Sequence, residues 1–183
     1  MRASAKPQQD NPTFDLMVTH LAAVIVELFA GYEIPVRCRP TPHFAPTPEA
    51  GMSTATIGYV GDNVCGALTV LAAQSTVQAW LGASGGERWD LDDALGEYSN
   101  MILGRLKCRL LVEGFPILLA TPTTTRGHDL RLSASPGQSG WLLFEGPGWQ
   151  AGVRLAASFE LGFALQAASE REQPMEAGEA MLF

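Results

Sequence analysis

Charge is scarce in this chain, and basic charge is scarcer than acidic. Only 17% of the 183 residues are charged, with 12 Lys and Arg against 19 Asp and Glu, a net charge of −7. Nucleic-acid binding and adhesion to an anionic bilayer both need a basic footprint, so the composition argues against either partner. Cysteine is nearly absent as well: Cys38, Cys65 and Cys108 are odd in number, far apart, and never in CxxC spacing. Neither a zinc site nor a disulfide framework is indicated, and the expectation is three buried thiols in a reducing cytoplasm. No apolar run reads as long enough to cross a bilayer. The opening MRASAKPQQDNP puts no apolar stretch behind its basic start, unlike a signal peptide. His20, His43 and His128 stand in unrelated contexts and no serine sits in an elbow motif, so no nucleophile–base set for small-molecule catalysis is visible.

What is present is apolar residue in quantity, 46% of the chain, enough for one domain with a sizeable core. Asp15 to Tyr32 is apolar over most of a helical circumference, which predicts a largely buried helix with Gly31 as its stop and His20 as a structural or half-exposed residue within it. Five prolines between Pro35 and Gly51 predict an extended connector. Ser53–Val60 and Val64–Ala73 are β-prone runs around Gly61-Asp62-Asn63, a hairpin. The second run is apolar on both alternations and reads as a central strand covered on both faces. Gln74 to Leu81 predicts a short helix and Gly82 to Gly86 a turn. Phe115 to Thr125 reads as a strand broken or edged by Pro116 and Pro122. Its TPTTTRG segment lacks the glycines and lysine of a phosphate loop, so turn or edge strand is the better assignment. Gly140–Glu145 and Ala151–Phe163 predict a second hairpin around Gly146-Pro147-Gly148. The order gives two similar halves, each a helix followed by strands, and hence an α+β domain with helices packed on a sheet.

The most informative stretch is Asp90 to Gly114. It opens on acidic residues, closes on Arg and Lys followed by Gly, and contains no proline, the start and stop signals of a long helix. Asp90 or Asp92 is its expected cap. At helical spacing Leu91, Leu95, Tyr98, Ile102 and Leu106 form one apolar stripe. Asp93, Glu97, Asn100, Gly104 and Lys107 fall on the opposite one. Glu97 and Asn100 are therefore outward-facing neighbours one turn apart. A glycine at 104 costs roughly 1 kcal/mol of helix stability, which is accounted for if a second surface approaches there.

The run E-Y-S-N-M-I-L-G-R-L-K, Glu97 to Lys107, resembles the Glu-x-x-Asn-x-x-x-Gly-x-x-Lys helix of the CheC/CheX-type chemotaxis phosphatases. The resemblance covers roughly Asp15 to Phe163 and implies a pseudo-symmetric α+β domain, placed at residues 13–166, with long helices beside a mostly antiparallel sheet; by composition, 1–12 and 167–183 read as flexible termini. It implies hydrolysis of the aspartyl phosphate of a CheY-like response regulator, with Glu97 and Asn100 catalytic and Asp93, Gly104 and Lys107 on the partner-binding face. It implies no cofactor or metal of the chain's own, the Mg2+ belonging to the partner receiver. CheC-type members carry Glu-x-x-Asn on both related helices. The first helix here offers only Glu27-Leu28-Phe29-Ala30, an acid without the asparagine, so the chain looks closer to CheX. Some relatives dimerise through sheet edges, which makes a homodimer an option. The alternative expectation is a non-catalytic receiver-binding or scaffold module of the same fold, comparable to the flagellar switch protein FliM. A metabolic enzyme with a deep pocket far from the long helix is the third.

Overall fold

A computed structural model describes residues 11–42, 44, 51–84, 90–128, 130, 132, 137–160 and 163. The expectations of flexible termini fall largely on residues outside this set, as does the end of the predicted turn at Gly86.

The first helix, α1 (Pro12–Ala30), is capped by Asn11, whose side chain accepts a 2.9 Å bond from the Thr13 N–H, and has Pro at its first position. Contrary to expectation, it is long and apolar enough to cross a bilayer by length and composition. In this fold its apolar side serves the core, with Met17, Leu21, Val24, Ile25 and Phe29 all fully buried. The helix stops where expected, at Ala30 with Gly31 as its C-cap, although the glycine stays right-handed at φ −64°. The turn closes two residues later. Glu33 N–H donates to Ala30 O and Ile34 N–H to Phe29 O, both at 3.0 Å, with Glu33 itself left-handed at φ 59°.

The proline-rich connector is not wholly extended coil, since it contains β1 (Arg37–Thr41). Pro40 is tolerated because β1 lies at a sheet edge and pairs only with one neighbour. The predicted first hairpin is β2 (Met52–Gly61) with β3 (Val64–Ala73). Helix α2 (Gln74–Ser84) runs further than expected and takes in Gly82. Helix α3 (Leu91–Val112) follows. The strand expected from Phe115 to Thr125 is split around Pro122 into β4 (Leu118–Leu119) and β5 (Thr123–Gly127), both paired to β2. The second hairpin is β6 (Gln138–Gly146) with β7 (Trp149–Phe159), turning at Pro147-Gly148 with Gly148 at φ 78°.

All strand pairs are antiparallel, in the order β1-β6-β7-β3-β2-β4, with β5 also on β2. Read from the other end, the order exchanges β1 with β4/β5, β6 with β2 and β7 with β3. The two halves are thus related by a pseudo-twofold between β7 and β3. Each half lends its first strand to the hairpin of the other.

Alternation along the strands decides which side meets the helices. Ala55, Ile57 and Tyr59 on β2, Leu68, Val70 and Ala72 on β3, and Ala151, Val153 and Leu155 on β7 lie in register and join the helical side chains in one core. At its centre Phe29 meets Trp80, Phe144 and Trp149 at ring separations of 5.2–5.7 Å. The tightest passage is at Gly66, where the Tyr59 hydroxyl crosses β3 to donate 2.8 Å to Ala156 O; a Cβ at 66 would collide with both groups. Strand β3 is covered on both faces only in its second part: Thr69 and Leu71 are buried, but Cys65 is exposed. The expectation of buried cysteines is therefore corrected. Cys65 and Cys108 are exposed, Cys38 is half-buried, and all three are free thiols.

Candidate functional site

Helix α3 carries the site, and its rotation about its own axis decides everything else. Asp90 caps it, accepting 3.2 Å from the Asp92 N–H. Arg126 on β5 grips the same end, with Nη2 at 2.9 Å from Asp92 Oδ2 and 3.4 Å from Asp90 Oδ1. Further along, Tyr98 is buried, stacked on Phe29 and edge-on to Trp80, and its hydroxyl donates 3.0 Å to Trp80 O on α2. Ser99 is fully buried and returns its hydroxyl to Leu95 O at 2.8 Å. On the α1 side, Glu27 and Arg109 form an ion pair, and His20 Nε2 lies 3.4 Å from Glu113 Oε1. His20 is thus the half-buried structural residue that was expected.

Glu97 and Asn100 flank the buried Tyr98-Ser99 pair and are both exposed. Neither side chain has a hydrogen-bond or ion-pair partner among the described residues. Asp93 is exposed on the same stripe, and Gly104 and Lys107 are partly so. A Cβ built at Gly104 meets nothing within 4 Å, so the helix backbone is open to approach there. All five residues singled out in the sequence therefore share one surface.

Beside them the structure places Gly96, Pro122 and Thr124, which the sequence did not single out as part of the site. Asp90, Asp92, Asp93, Gly96, Glu97, Pro122 and Thr124 line a shallow depression of about 460 Å³. Gly96 lets β5 come close, with Thr124 Cγ2 3.6 Å from where its Cβ would stand. Arg126 offsets Asp90 and Asp92, which leaves Asp93 and Glu97 as uncompensated carboxylates one turn apart. Like charges at that spacing repel by a few tenths of a kcal/mol, a cost that a cation set against this rim would relieve. The only sequence trace of this wall was the TPTTTRG segment, whose apparent plainness hid its contact with α3. Among the described residues no three His, Cys, Asp or Glu side chains converge as a metal cluster.

The helix ends also correct the register of the expected second site. Helix α3 closes as α1 does: Phe115 N–H donates 2.7 Å to Leu110 O, with Gly114 left-handed at φ 72°. Phe29 thus corresponds to Leu110, Glu33 to Gly114 and Ile34 to Phe115. In that register Leu16 stands where Glu97 does and Thr19 where Asn100 does. Glu27 is not the counterpart, and it is engaged with Arg109 instead. The first helix carries neither the acid nor the amide.

A family model described as "Chemotaxis phosphatase CheX" matches residues 53–145, half of the chain. No curated protein matches it. Solved structures match its fold. Chemotaxis protein CheX from Vibrio vulnificus superposes with a TM-score of 0.68 at 19% identity, covering 78% of this chain and 99% of that one. The Borrelia burgdorferi chain solved as a CheX-CheY-BeF3-Mg2+ complex gives 0.59 at 16% identity, covering 79% and 97%. The FliM middle domain from Vibrio alginolyticus gives 0.53 at 11% identity, covering 81% and 94%.

Proposed function

From the premise that this chain belongs to the chemotaxis phosphatase CheX family, we propose that it hydrolyses the aspartyl phosphate of a CheY-like response regulator in the cytoplasm. Water attacks phosphorus in line, the bond to the aspartyl oxygen breaks, and the products are the receiver's carboxylate and inorganic phosphate. Such a transfer chiefly needs an aligned nucleophile and stabilised charge. Asn100 presents a donor and an acceptor on one planar group and holds the water in line. Its amide is neither a nucleophile nor a proton acceptor, so no covalent intermediate is expected. Glu97 binds a lysine beside the receiver's phosphorylated aspartate, a charge-assisted bond that fixes the docking register. Asp93 adds to the same negative rim, Gly104 admits the partner's backbone, and Lys107 meets its acidic groups. The Mg2+ that neutralises the phosphoryl oxygens is held by the receiver.

The observation that carries this reading is the joint exposure of an unpartnered acid and amide, with the residues between them locked into the core. The test is decay of a phosphorylated receiver in the presence of this protein. Asn100→Ala is expected to lower kcat by roughly a hundredfold or more, and Glu97→Ala to raise KM by roughly tenfold. The second reading, a receiver-binding module without hydrolysis, draws on the likeness to the FliM middle domain. It wins if the wild-type protein binds receivers but leaves their dephosphorylation rate unchanged.

A further inference from the structure

The last turn of α3 leaves Leu111 58% exposed and Val112 87% exposed. At 100° per residue, Leu111 returns to the azimuth of Asp93 and lies within about 20° of Asn100 and Gly104. Val112 lies about 100° away, towards α1. Leu111 therefore extends the docking stripe and Val112 does not. Along the axis Leu111 is about 16 Å from Asn100. A standard interface covers about 800 Å² on each partner, a disc of roughly 16 Å radius. A receiver centred on Asn100 reaches Leu111 at its margin. Between them, nothing among the described residues lies within 4 Å of a Cβ built at Gly104. The stripe thus changes character from carboxylates (Asp93, Glu97) through an amide, a bare backbone and Lys107 to an aliphatic end.

We propose that Leu111 is a specificity-determining contact for the receiver docked over Asn100, seated against an apolar surface about 16 Å from the phosphorylation site. This rests on the docking reading above. It adds a demand that the acid–amide pair does not make: a receiver must offer both a cation near its phosphoryl group and an apolar patch at that distance. Receivers sharing the first and lacking the second are discriminated against.

The test is a titration of the full-length protein into a CheY-like receiver trapped with beryllofluoride and Mg2+, together with dephosphorylation kinetics. Leu111→Gln keeps a good helix former at an exposed position and is expected to weaken binding roughly tenfold. Its rate at saturating protein stays at the wild-type value. Leu111→Met is expected to retain wild-type affinity, and Val112→Gln to stay within about twofold of it. Wild-type affinity for Leu111→Gln, or an equal loss for Val112→Gln, overturns the inference and leaves the docking reading standing. Failure of the wild-type protein to bind any receiver removes both.

Discussion

Two buried hydroxyl-bearing side chains, Tyr98 and Ser99, separate the two residues on which the proposed chemistry depends. Burial of Tyr98 and Ser99, and the bond of Tyr98 to Trp80 O on another helix, fix the rotation of α3, so Glu97 and Asn100 are held outward with no hydrogen bond or ion pair of their own among the described residues. The outward stripe was legible in the sequence because 3.6-residue periodicity alone assigns faces. The partners of Tyr98 were not, since the Trp80 carbonyl is presented by a different helix. Cysteine environments were misjudged for a related reason: burial of a small residue depends on which face its strand presents. Cys38 is the half-buried one, and burial pushes its thiol up to about 11. Alkylation requires the thiolate, so the rate at Cys38 rises about tenfold per pH unit between 8 and 10 and levels off only above about pH 11. At pH 8, mass spectrometry after iodoacetamide treatment is expected to find Cys65 and Cys108 modified well before Cys38. Equal labelling of all three would contradict this placement.

Among the elements, α3 was the one best read in advance, including its acidic start and the bare position at Gly104. The helix ends were less legible. The glycine at 31 marked the end of α1, but the left-handed residue that closes the following turn, Glu33, left no sign in the sequence. Gly104 separates a structural cost from a functional one. Its Cβ position is empty, so Gly104→Ala gains helix propensity without a clash. Stability is expected to rise by about 1 kcal/mol and Tm by roughly 2–4 °C. Thermal unfolding followed by circular dichroism checks this, and an unchanged or lower Tm would mean that position 104 is not free on its outer side.

At the level of the whole molecule, two similar halves were visible in the order of elements, but the exchange of strands between them was not. Sequence patterns report which residues face inward and say little about which strand lies beside which. The same likeness of the halves lets the closing turns of the two long helices be matched residue for residue, and with that register comes a prediction. If Leu16 and Thr19 occupy the places of Glu97 and Asn100, then Leu16→Glu with Thr19→Asn builds the missing pair on α1. In an Asn100→Ala background, this double substitution is expected to restore a measurable fraction of receiver dephosphorylation above the Asn100→Ala baseline. Activity no higher than that baseline would show that matched backbone positions do not suffice, and that the surroundings of α3 supply more than the pair itself.

The lending of β1 to β6, and of β4 and β5 to β2, has one more consequence. Sever the chain between residues 84 and 90, and each piece retains a hairpin whose outer neighbour has left with the other. Neither fragment owns a finished border, and reunion becomes a second-order event governed by how often the two meet. The intact polypeptide escapes that dependence on concentration because both arms are tethered by a few residues of chain.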